Sequence, residues 1–175
     1  SDVAAAIAAG GRGELTPWVD EGEGRALMAA KPAPGRVTAS KTIPELGATV
    51  LTLSNGVQVW LKPTDFKADQ VVFSSYAKGG LSLASQAEYR SADLATNLVD
   101  VSGLAGFTPV QLEKMLAGKT AGASAYISAN THGVTGSAAP KDLETAFQLL
   151  HLQFTAPAFT PEGFTLLKTR LQAAL

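Results

Sequence analysis

Few residues in this 175-residue chain could carry out chemistry. It holds two histidines and no cysteine, which excludes disulfide frameworks and Cys-based zinc or redox sites. His132 lies in NTHGVTG just after an expected turn, and His151 lies one helical turn after Phe147. No Asp or Glu stands at metal-ligand spacing to either, so a surface histidine and a helix-flank histidine are expected. Asp93 and Asn97 are four residues apart, a spacing that puts two side chains on one helix face. Asn is a poor zinc ligand, and a solvated helix face is the better reading of that pair. No Ser stands in a G-x-S-x-G elbow, and no glycine run has Walker or dinucleotide-binding spacing. Lys78-Gly79-Gly80 ends an expected strand with no helix N-terminus directly after it, so it reads as a turn rather than a phosphate cradle. Residue chemistry alone assigns no active site.

The elements that would position these residues come from a chain that is 46% hydrophobic and 17% charged, which favours a folded core over disorder. The net charge of -1 gives no electrostatic grip on nucleic acid or on anionic membranes. The opening SDVAAAIAAGGRGELTPW has neither the basic nor the long apolar region of a signal peptide, and no apolar run is long enough to span a bilayer.

Residues 1–44 read as an inter-domain linker or the tail of a preceding domain, with Pro32 and Pro34 breaking regular structure. Residues 45–175 read as one partial lobe. Strands are expected at 49–54 and 57–62 around Asn55-Gly56, a pair suited to a type I′ turn. That turn would set Val50 against Leu61, Leu51 against Trp60 and Thr52 against Val59, in a sheet covered on both faces. A third strand at 70–77 is followed by a helix over 86–101, with Leu94, Leu98 and Val101 on its apolar side and Asp93, Asn97 and Asp100 as its polar stripe. A helix over 109–117 has Thr108 as N-cap, Pro109 at its first position and Gln111 placed for a capping box. Strands at 120–128 and 131–138 precede two more helices. The first should bury Leu143, Phe147, Leu150 and Phe154. The second, capped by Thr160-Pro161, should bury Phe164, Leu167 and Leu171. The fold class is α+β: an antiparallel-rich mixed sheet with helices on one face, in the order β-β-β-α-α-β-β-α-α. The last helical pattern meets no Gly, Asn or Pro, which reads as truncation at the C-terminus.

That order, with LSNGVQVWLKPTDFKADQV opening it and YAKGGLSLAS, VSGLAGF, LEKMLAGKTAG and PKDLETAFQLLHLQFTAPAFTPEGF following, resembles the pitrilysin/insulinase/processing-peptidase superfamily of zinc metallopeptidases. The likeness is to a lobe of its long bacterial periplasmic members and spans about residues 42–175. Catalytic lobes of the superfamily carry H-x-x-E-H on the helix after the third strand, two His binding zinc and Glu acting as base. Here Asp93 and Asn97 align with the two His and Thr96 with the base. No Glu follows Glu162 to serve as third ligand, and Gln172 is near its place. All these positions depart from the pattern together. The resemblance therefore implies a non-catalytic lobe with no catalytic or metal-binding residue of its own. Zinc is expected in a different lobe of the parent protein. The expected partners are the other lobes of the same polypeptide and a peptide substrate enclosed between them, with no nucleic acid and no membrane, in a periplasmic setting. The competing reading is a non-enzymatic assembly subunit or binding module of the same fold.

Overall fold

The computed structural model describes Val3 and residues 24–174. Six strands form two antiparallel sheets of three. The first contains β1 (Val37–Ile43), β2 (Ala48–Leu53) and β3 (Gln58–Leu61), paired in that order. The second contains β4 (Val71–Lys78), β5 (Ala121–Ile127) and β6 (Thr131–Ala138), with β6 in the centre. Within residues 24–174 five helices accompany them: α1 (Tyr89–Asp93), α2 (Ala95–Ser102), α3 (Pro109–Met115), α4 (Leu143–Thr155) and α5 (Pro161–Ala173). The α+β class and the antiparallel pairing are as expected, but the strands divide between two sheets, and a strand, β1, precedes the hairpin. β1 falls inside the stretch expected to be a linker. In its sequence VTASKTI the alternation of Val37, Ala39 and Ile43 is interrupted by Lys41, and it reaches β2 through a turn at Pro44–Leu46 closed by Gly47 at φ +58°.

The hairpin register also differs. Thr49 pairs with Leu61, Val50 with Trp60, Leu51 with Val59 and Thr52 with Gln58. The Leu53 N–H donates to the Val57 carbonyl and the Gly56 N–H to the Leu53 carbonyl, each at 2.9 Å, so three residues form the loop. Gly56 has φ +85°, whereas Asn55 is not among the residues of positive φ. This is a turn followed by a left-handed glycine bulge, not a type I′ turn. The one-residue change places Thr49, Leu51, Val59 and Leu61 on one face and Val50, Thr52, Gln58 and Trp60 on the other. Only Ala48 in this sheet is fully buried, and Trp60 is 57% exposed, so neither face is covered by the described residues as expected.

The second sheet carries the core. α4 lies on β5 and β6. Ala146 and Val134 are almost wholly buried, with Leu149 and Leu152 on the same side of α4. The expected stripe through Phe147 and Phe154 is rotated outward: both are about half exposed. Ala146, Leu149 and Leu152 take the inner face of α4 instead. A Cβ on Gly136 would overlap the Phe73 ring, and Phe73 in turn packs on Phe147 at the flank, with ring centroids 5.4 Å apart.

The expected last-helix face is also corrected. Phe164 and Leu171 are exposed, and α5 meets α2 through its buried Gly163. A Cβ there would overlap the Ser102 hydroxyl oxygen, which accepts a hydrogen bond from the Thr160 N–H at 3.2 Å. Thr160 caps α5 as expected, accepting from the Gly163 N–H at 3.0 Å. The capping box of α3 is complete: Gln111 N–H donates to Thr108 Oγ1 at 3.3 Å, and Thr108 N–H to Gln111 Oε1 at 2.9 Å.

Candidate functional site

The helix expected over 86–101 is two helices with a break at Leu94, whose φ of -93° and ψ of -3° leave the regular helical range. Asp93 closes α1, while Thr96 and Asn97 lie in the first turn of α2. The polar stripe is present: Asp93, Asn97 and Asp100 are all exposed. Thr96 is half-buried and turns the other way, into a cavity of about 280 Å³ between α2, the β5–β6 end of the sheet and the α4–α5 link. The positions aligned with two metal ligands and a base are therefore split between solvent and a mostly apolar recess.

The recess has walls of Ala92, Ala95, Val99 and Ile127, with the half-exposed rings of Phe154 and Phe159 at its edge. Its polar side chains are Thr96, Tyr126, His132 and Gln153, and the Tyr126 hydroxyl donates to the Ser75 carbonyl at 3.2 Å. Gln153 Nε2 donates to the Ala123 carbonyl at 3.0 Å, and its Oε1 is buried without a partner among the described residues. Among the described residues no carboxylate lines the recess. It can accept an apolar side chain or a small neutral group. Burial pushes the Asp100 carboxyl up from its ordinary value, although this residue remains in contact with solvent at the helix surface.

His132 is not a surface histidine. It is half-buried on β6, and its Nδ1 accepts a hydrogen bond from the Gly80 N–H at 3.2 Å. It belongs to a larger junction. The N–H groups of Gly79, Leu81 and Ser82 donate to the carbonyls of Asn130, Ser128 and Ala129, at 2.8, 2.9 and 2.9 Å. Four successive amides after β4 are thus bonded to the β5–β6 hairpin. A phosphate cradle needs such amides free, so the turn reading of Lys78-Gly79-Gly80 has a physical basis. A Cβ on Gly80 would overlap the Ser128 carbonyl oxygen, and Gly80 has φ +57°, so glycine is required here. Sequence reasoning missed this junction because no local pattern links position 80 to position 132.

His151 is half-buried in the wall of a second cavity, of about 540 Å³, beside Phe107 and Leu152. The two histidines line different cavities. Among the described residues, no three His, Cys, Asp or Glu side chains stand close enough together to hold a metal ion. An exposed carboxylate, an exposed carboxamide and an inward hydroxyl at 93, 97 and 96 do not suit zinc, whose protein ligands are imidazole, thiolate and carboxylate in a closed set. No described helix is long and apolar enough to cross a membrane.

No family profile matches the chain. A protein from Arabidopsis thaliana called "Zinc protease PQQL-like" is 34% identical over 148 residues, covering 85% of this chain and 13% of that protein. The periplasmic protease PqqL from Escherichia coli superposes with a TM-score of 0.77 at 20% identity, covering 96% of this chain and 18% of that one. The ferredoxin protease FusC, solved in complex with Arabidopsis ferredoxin, superposes at 0.70 with 23% identity, over 91% of this chain and 18% of that one. The chain thus spans less than a fifth of the length of each of these proteins.

Proposed function

Because this chain belongs to the pitrilysin/insulinase/processing-peptidase superfamily of zinc metallopeptidases, we propose that it is a non-catalytic lobe of a zinc metalloendopeptidase. In this reading the lobe starts with β1, which pairs with β2, rather than at residue 45, and the stretch before β1 joins it to the preceding part of the polypeptide. The lobe forms part of the chamber that encloses a peptide substrate, and the zinc is held by a different lobe. The parent protein works in the periplasm, by analogy with the periplasmic protease PqqL.

One observation carries the reading. In the alignment that the resemblance implies, Asp93, Thr96 and Asn97 fall at the ligand–base–ligand positions; Asp93 alone keeps a group that zinc accepts, and Thr96 and Asn97 do not replace the base and the second ligand. A threonine hydroxyl cannot take a proton from water near neutral pH. A carboxamide offers zinc only a weak neutral oxygen. The surface supports an assembly role. Trp60, Leu61 and Phe66 in and beside the first sheet, and Phe154, Phe159 and Phe164 along the α4–α5 edge, are all exposed large apolar side chains. Exposed apolar side chains clustered on one surface suit contact with further polypeptide. The test is a peptidase assay of the purified chain on flexible peptides such as casein fragments, with and without chelator. No chelator-sensitive cleavage is expected. Cleavage by material shown free of other proteases would overturn the proposal.

A further inference from the structure

The stretch before β1 does not stand free of the body, and its contacts differ in kind. Leu27 packs against the buried cluster of Val99, Leu104 and Leu149. The Arg25 guanidinium lies 4.1 Å from the centre of the Phe107 ring, a cation–π distance. Lys31 Nζ is 2.7 Å from Glu144 Oε1 at the start of α4, an ion pair exposed on both sides. Lys31 also holds the Glu144 carboxyl below its ordinary range. Between these anchors the segment crosses the cavity of about 540 Å³, whose opposite wall is Ala105, Phe107, His151 and Leu152. Among the described residues, no backbone hydrogen bond joins residues 24–35 to the rest of the chain.

A segment fixed by side chains alone, over open space, can be lifted without breaking a ladder of backbone bonds. We propose that Arg25–Lys31 is a releasable strap. Seated, it fixes the direction in which the chain enters β1 from the helical face. Lifted, it uncovers an apolar groove floored by Phe107 and Leu152. The three anchors are unequal. Leu27 takes apolar surface out of water, whereas the Lys31–Glu144 pair is solvent-screened and weak. Leu27 is therefore the main latch.

Limited trypsin digestion of the full chain, followed by mass spectrometry at the Arg25–Ala26 bond, tests this. Leu27→Ser should speed that cut by on the order of tenfold, with Lys31→Ala having a smaller effect. Equal rates in the wild type and Leu27→Ser, with helical circular dichroism unchanged in both, would overturn the proposal. If Leu27→Ser loses helical signal, Lys31→Glu replaces it. That change sets like charges against each other at Glu144 without touching the core. A faster cut supports the strap, and an unchanged rate rejects it.

Discussion

His132 accepts the Gly80 N–H on its Nδ1 at 3.2 Å, tying the end of β4 to a residue 52 positions later on the central strand of the second sheet. An acceptor at that position is required, because the Gly80 N–H is part-buried and its neighbouring amides are bonded elsewhere. His132→Leu should cost about 1–3 kcal/mol by leaving that donor unpaired. His132→Asn, whose Oδ1 can take the place of Nδ1, should retain most of that stability. Denaturant titration of both variants checks this, and equal losses would mean that the hydrogen bond contributes nothing beyond packing.

The first hairpin makes a separable prediction about its two turn residues. Gly56 carries φ +85°, where a Cβ meets no neighbour, so only backbone strain opposes a side chain there. Gly56→Ala should cost about 1–2 kcal/mol. Asn55→Ala should cost well under 1 kcal/mol, losing only the exposed bond from the Val57 N–H to Asn55 Oδ1 at 3.2 Å. Comparable large losses at both positions would indicate positive φ at both, and hence a type I′ turn.

What the sequence made legible follows from how local each signal is. The Thr108–Gln111 capping box, the Thr160 cap and the β5–β6 hairpin each depend on residues a few positions apart, and all three are present. The hairpin register was missed because Asn-Gly suits two loop lengths, and the choice rests on the backbone angle of Asn55. β1 was missed because Lys41 interrupts the apolar face of Val37, Ala39 and Ile43 and nearly the whole strand is exposed, so pairing with β2 defines it more clearly than periodicity does. The buried faces of α4 and α5 were misjudged because large apolar residues were assumed to point inward. Ala146, Leu149 and Leu152 take the inner face of α4, and Gly163 that of α5, where α2 approaches too closely for a Cβ. At the candidate site, the exposed stripe of Asp93, Asn97 and Asp100 was readable from spacing. The inward turn of Thr96 and the break at Leu94 were not, because no local pattern in the sequence marks either.

Asp100 gives a pH-dependent prediction. Burial raises its carboxyl pKa in the folded chain above the unfolded value, so the folded state disfavours the charged form. The penalty is absent below the unfolded value of about 4, builds as pH rises through that value, and is complete above the raised folded value. Asp100→Asn removes it. The variant should melt at a higher temperature than the wild type at neutral pH, with the gap closing as pH falls to about 3. A gap that is constant with pH would assign the effect to something other than ionisation.

The central claim is that this lobe does not hold the zinc of its superfamily, and the zinc content of the purified chain tests it most directly. The chain is loaded with excess zinc, dialysed against a weak chelator and analysed for metal. The account predicts no stoichiometric zinc in the wild type, because Asp93, Thr96 and Asn97 supply no closed ligand set and His132 and His151 line separate cavities. One zinc retained per chain, and lost on replacing Asp93 or either histidine, would contradict it.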